Sequence, residues 1–193
     1  FTNTASGTAP KISANSLGSW TIGNPVMAQA PLTLEVTGAL TLTNALTFAT
    51  GTLNLSKSGI GTLTLPSIAN CAAPIIYDGT LQTPVFPAGL AINLFSQNAK
   101  TAALTLTSGQ TLSGTLNLMG SGTGVLATRC GGGTVTLSGW SYGYGDSALF
   151  DVGTNDTLSL RQMLLVSNSK GTSVTALTKA GPGTLEIRSQ GMD

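Results

Sequence analysis

Three aspartates, Asp146, Asp151 and Asp156, recur at five-residue intervals through a stretch that also holds Gly143, Gly145 and Gly153. Carboxylates and carbonyls on Gly-rich loops are the hard oxygen ligands calcium takes, so this stretch could hold a calcium ion. The spacing is not that of an EF-hand, which needs D-x-D-x-D-G and a distant Glu. Solvated turn carboxylates would account for the same residues. A pair such as Asp151 and Asp156 is also the minimum equipment of a glycosidase. That chemistry needs one acid with a raised pKa, in a chain with seven acidic residues in all.

Trp140, Tyr142 and Tyr144 stand at i, i+2 and i+4, which places them on one face of a strand. Exposed, such a row could stack on sugar rings and contact surface glycans. Covered, it would be a core patch or an inter-subunit contact. Cys71 and Cys130 are the only cysteines. They could form one disulfide, which would suit an oxidising compartment, or remain two buried thiols acting as small hydrophobes. The glycines of Cys130–Gly133 and Gly120–Gly124 lack the Gly-Lys-Ser/Thr and the following helix of a phosphate loop, and read as turns.

Composition narrows the choice. The chain has 193 residues, of which 8% are charged; it has no histidine and a net charge of +1. Without histidine, His-dependent triads and His-ligated metals are excluded within this chain. Eight basic residues do not supply the charge a phosphate backbone demands, nor the grouped Lys and Arg of a polysaccharide lyase groove. Nucleic acid is not an expected partner, no cofactor other than calcium is indicated, and no apolar run is long enough for membrane insertion as a helix.

The elements that must position these residues are short strands. Thr33–Val36, Ala39–Leu46, Thr52–Leu55, Thr62–Leu65, Ala103–Thr107, Thr115–Leu118, Thr134–Leu137, Thr157–Leu160 and Thr184–Ile187 alternate aliphatic with polar residues, the period of a half-buried strand. Arg161–Val166 comes nearest to a helix and is still read as strand. Many short strands at near-regular spacing, punctuated by Gly, predict an all-β fold.

Internal repetition selects among all-β folds. Lys57-Ser-Gly59-Ile-Gly61-Thr-Leu-Thr-Leu65 matches Lys179-Ala-Gly181-Pro-Gly183-Thr-Leu-Glu-Ile187. A Gly corner followed by Thr-Leu-x-Leu suits a solenoid: Gly takes the corner, Leu enters a narrow core, and Thr faces out or stacks on the next coil. At 20–25 residues per coil the chain would form about eight coils, roughly 40 Å long. Phe1–Ser19 is polar and weakly alternating, and is expected to be an N-terminal arm or cap. Residues 20–193 form a single β-rich domain, interrupted near 69–95 by a Pro-rich excursion. Pro74, Pro84 and Pro87 there keep a pilin-like β-sandwich open as an alternative.

The K-x-G-x-G-T-L-x-[LI] unit, carried by Lys57, Gly59 and Gly61 and again by Lys179, Gly181 and Gly183, resembles the autotransporter-associated β-strand repeat of secreted bacterial surface proteins. The resemblance implies a right-handed parallel β-helix at the cell surface, with no catalytic residues to carry over. Together these features point to a non-enzymatic extracellular structural protein. It would be the repeating subunit of a surface filament or a stalk segment, and its partner is other copies of itself through strand pairing. The competing reading is an adhesin or carbohydrate-binding module using Trp140, Tyr142 and Tyr144.

Overall fold

A computed structural model describes residues 10–98, 100–143, 147–165 and 176–188, with only the backbone at 142, 164 and 165. Coil 1 runs through β1 (Lys11–Ala14), β2 (Ser19–Ile22) and β3 (Val26–Ala28). Coil 2 follows with β4 (Leu32–Val36), β5 (Ala39–Leu42) and β6 (Leu46–Phe48), and coil 3 with β7 (Leu55–Ser58), β8 (Thr62–Thr64) and β9 (Ile68–Ala69). Coil 4 has β10 (Pro74–Ile76) and β11 (Gly79–Thr83); coil 5 has β12 (Ile92–Ser96), β13 (Thr101–Leu106) and β14 (Thr111–Leu112). Coil 6 takes β15 (Leu116–Gly120), β16 (Thr123–Thr128) and the first half of β17 (Thr134–Gly143). Coil 7 takes the rest of β17, β18 (Ser147–Val152) and the first half of β19 (Thr157–Leu165), and coil 8 ends with β20 (Ala176–Ala180) and β21 (Thr184–Ile187).

Every named strand pair is parallel, and the chain is a right-handed parallel β-helix. Face 2 stacks eight strands, β2-β5-β8-β11-β13-β16-β18-β20, so seven full turns separate its two ends. Register partners such as Lys11↔Thr33, Ile75↔Asn93 and Leu116↔Ser141 give coils of 22, 18 and 25 residues. A sandwich is antiparallel, so the parallel ladder removes that alternative.

Alternation sets the core. On face 2 the inward column reads Trp20, Leu40, Leu63, Leu81, Leu104, Leu126, Phe150 and Lys179. Leu40 through Phe150 are buried. Each fully buried Leu contributes about 2 kcal/mol of transfer energy, so stacked leucines, not aromatic packing, hold the coils together.

Three expectations change. Lys11–Ala14 is paired in register with β4, so within the stretch 1–19 expected to be an arm or cap, these four residues belong to the first coil and are no free arm; residues 1–9 lie outside the described residues. Thr52–Leu55 is not a strand: the chain turns at Thr50–Leu53, where Leu53 N–H donates to Thr50 O at 3.3 Å, and the strand starts only at Leu55. The stretch 69–95 does not leave the solenoid. Pro74 opens β10, where its missing N–H costs one ladder bond at a strand start, and β10, β11 and β12 stay in register with their neighbours. At Pro84–Pro87 the ladder thins to a single parallel bridge, Ser67↔Val85. There Gln110 adds to it, donating from Nε2 to Pro84 O at 2.9 Å and accepting from Phe86 N–H at 2.9 Å.

Candidate functional site

The two copies of the Lys-Gly-Gly motif sit at different corners. Lys57–Gly61 turns the chain from face 1 to face 2, whereas Lys179–Gly183 turns it from face 2 to face 3. The chemistry of both corners is the same. Each lysine occupies an inward position: Lys57 lies in register with Leu34 and Ile76, and Lys179 with Phe150. Each amine bends back to donate to the carbonyl two residues ahead, Gly59 or Gly181. Gly59 and Gly181 hold φ of 78° and 76°, the left-handed region glycine favours.

Lys57 is wholly buried. Its Nζ donates to Ser58 O at 3.1 Å and to Asp78 O of coil 4 at 2.8 Å, besides Gly59 O. Burial pulls its pKa down to about 8, with Asp78 acting in the opposite sense. The Asp78 carboxylate caps Gly79 N–H at 2.9 Å and pairs with Lys100 at 3.3 Å, beside a shallow groove of about 450 Å³ lined by Ile60, Gly79 and Thr101. The lowered pKa has a signed consequence. Between about 8 and the unfolded value near 10.4, the unfolded chain holds a proton the folded chain has released. Raising pH through that window therefore favours the fold. The urea midpoint of the native protein should gain on that of Lys57→Met between pH 7.5 and 10. Parallel profiles would refute the assignment.

The glycine run Cys130–Gly133 is more than a turn. Gly131 and Gly132 have φ of 67° and 102°, which lets successive amides converge on one point, an anion-binding nest. The anion is the protein's own. Asp156, buried in coil 7, accepts from Cys130 N–H and Gly132 N–H, each at 2.8 Å. Burial pushes its carboxyl up. The amides of Cys130, Gly132 and Gly133 and the Thr128 hydroxyl outweigh that and hold it below the usual carboxylate range. Asp151 instead forms an ion pair with Arg129.

The calcium reading therefore loses two of its three ligands to protein partners, and Asp146 lies outside the described residues. No cluster of three His, Cys, Asp or Glu side chains suited to a metal occurs among the described residues. The same engagement removes Asp151 and Asp156 as a free carboxylate pair, and the lowered Asp156 pKa is opposite to what a glycosidase acid needs. Both cysteines are free, so the disulfide is not formed. Cys71 follows β9 in coil 3 and Cys130 follows β16 in coil 6. Three coils at about 4.8 Å each exceed the Cα reach of about 7 Å for a bridge. Burial pushes both thiols up, and for Cys130 the Asp156 charge adds to it.

Of the aromatic row, Trp140 is 46% exposed on β17. Tyr142 follows Asn117 in register, and Tyr144 lies outside the described residues. Among the described residues there is no helix able to cross a membrane. No family model, curated protein or solved structure matches the chain. Function has to be argued from the surfaces themselves.

Asp78, the burial of Lys57 and the pairing of Asp156 with the Cys130–Gly133 amides were not expected from the sequence. The signal for Lys57 was present: in Leu55-Ser-Lys57-Ser, alternation puts Lys57 on the side of Leu55.

Proposed function

We propose that this chain is a non-enzymatic structural solenoid of an extracellular bacterial surface, a stacking unit of a filament or stalk held by strand pairing between end coils. The reading rests on the inward column of face 2. Its interior members are buried, whereas Trp20 at one end is 54% exposed; at the other end, beside that column, Leu177 of face 2 and Ile187 of face 3 are 37% and 49% exposed. Among the described residues, β1 and β2 at one end and β20 and β21 at the other pair on one side only. Joining unlike ends is a heterologous contact, which propagates rather than closes.

An inward charge commonly blunts a sheet edge, and Lys179 is such a charge. Lys57 argues that this fold accommodates it. Lys57, the lysine of the matching motif at another corner, is covered by coil 4, which adds the Asp78 carbonyl as an acceptor and presents Gly79, whose missing side chain leaves room for Nζ. The Lys179 corner of coil 8 thus repeats the form that the Lys57 corner has in an interior coil. The resemblance to autotransporter repeats supports the same setting.

Light scattering and negative-stain microscopy test the proposal. Rods lengthening with concentration are expected, and Trp20→Asp should shorten them while leaving the circular dichroism unchanged. Dispersed single particles at every concentration would sink it.

A further inference from the structure

The outer side of face 1 carries a feature that end stacking does not use. Across coils 4 to 6, Ile75, Asn93 and Asn117 share one register column. Two residues further along the strands stand Tyr77, Phe95 and Met119, with Phe95 and Met119 in register. The Tyr77 and Phe95 rings meet edge to face, centroids 5.8 Å apart at 82°. Between the columns lies a shallow groove of about 330 Å³ lined by Ile75, Tyr77, Asn93, Phe95 and Met119. Asn117 Nδ2 donates to Asn93 Oδ1 at 2.7 Å. That bond leaves the Asn93 amide N–H and the Asn117 amide oxygen without a protein partner among the described residues.

We infer that this strip binds a neutral glycan chain, with the Tyr77 and Phe95 rings against sugar C–H faces and the Asn93–Asn117 pair on hydroxyls. Charge sets the first constraint. The strip holds no Asp, Glu, Lys or Arg, and the outward charges of coils 1 and 2 neutralise each other, Lys11 with Glu35 at 2.6 Å. An anionic or cationic partner finds nothing to pair with here.

The amides set the second constraint. An apolar protein surface laid over the strip would bury the free Asn donor and acceptor and leave both unsatisfied, which opposes binding. A sugar offers both parts at once: an apolar face for the rings, and hydroxyls that donate and accept. The columns repeat every 4.8 Å or so along the solenoid, so an extended chain could track several coils. Trp140 lies on coil 7 of the same face, and Tyr142 continues the Asn93–Asn117 column there.

Electrophoresis of the whole chain in gels containing a soluble β-glucan, a galactomannan or a xylan, with polygalacturonate and heparin as anionic comparisons, tests this. Retardation by at least one neutral polysaccharide and by neither anionic one is expected. Tyr77→Ala should weaken it at least tenfold and Asn93→Ala several-fold, whereas Thr33→Ala, on the same outer side in coil 2, should leave it unchanged. Tyr77 is 37% exposed and its loss should be tolerated; if Phe95→Ala fails to fold, the Asn93 and Asn117 variants decide. Retardation that survives Tyr77→Ala, appears only with anionic chains, or fails with all three neutral ones overturns the inference. So does a side-by-side dimer lost on Tyr77→Ala without glycan binding. Trp20→Asp, which addresses stacking, should leave glycan binding intact, so the two readings fail separately.

Discussion

Gly61→Ala is expected to destabilise the protein by about 3 kcal/mol or more. A Cβ on Gly61 would lie 2.0 Å from Gly38 O and 2.6 Å from the Thr37 carbonyl carbon. Those atoms belong to the backbone of the preceding coil, and they are fixed. Gly38 O accepts from Thr62 N–H at 2.9 Å, Gly61 N–H donates to Val36 O at 2.8 Å, and Gly61 O in turn accepts from Thr80 N–H at 3.0 Å. Relief of the clash therefore breaks ladder bonds on both sides of coil 3. The same corner in coil 2 is equally closed, with a Cβ on Gly38 falling 2.3 Å from Gly18 O. Gly51→Ala is the matched control. Nothing lies within 4 Å of its added Cβ, so its cost should stay within about 0.5 kcal/mol, as for an ordinary surface change. Urea unfolding followed by far-ultraviolet circular dichroism measures both. Equal midpoints for Gly61→Ala and Gly51→Ala would remove the close coil approach as the reason for the second glycine of the motif.

The corner glycines also show how far this fold could be read from residues alone. Alternation in Thr62–Leu65, Thr134–Leu137 and Thr184–Ile187 is a local property, with a period of two that no tertiary contact alters, and those strands stand where it puts them. The Gly-x-Gly-Thr-Leu repeat likewise reports a local requirement, a corner that passes close to its neighbour. The face a corner belongs to is not local. Lys57–Gly61 and Lys179–Gly183 share the Lys-x-Gly-x-Gly pattern yet turn onto different faces, because coil lengths of 18 to 29 residues shift the motif around the helix. The Pro-rich stretch misled for a related reason. Proline is penalised for a missing ladder donor, and here the Gln110 side chain, in the next coil, supplies bonds to Pro84 and Phe86 instead.

The candidate surfaces were less legible, since each is assembled across coils. Trp140, Tyr142 and Tyr144 are visible as a row within one strand. Tyr77, Asn93, Phe95, Asn117 and Met119 are spread over three coils, and only the register brings them side by side. Asp156 and Cys130 are 26 residues apart. Without coil lengths, a Gly-rich loop and a distant acid are two turns; with them, they are an anion and its cradle.

That cradle makes the second large prediction. Asp156→Ala removes the acceptor of two charge-assisted bonds and leaves the Cys130 and Gly132 amides, at a part-exposed corner, without their charged partner, a loss of about 2 kcal/mol. Asp156→Asn keeps one carbonyl oxygen in the nest and should lose about half as much. The pH dependence separates charge from shape. The folded Asp156 pKa lies below its ordinary value, so its contribution is fully present above the unfolded pKa near 3.9 and is lost as pH falls through the lower folded value. The gap in urea midpoint between the native protein and Asp156→Ala should hold constant from pH 7 to about 5 and close toward pH 2. Asp156→Asn should show no such closure of its own. A gap that persists undiminished at pH 2 would mean that Asp156 stabilises by packing alone, and that the Gly131–Gly132 conformation is set by the chain rather than by the carboxylate it surrounds.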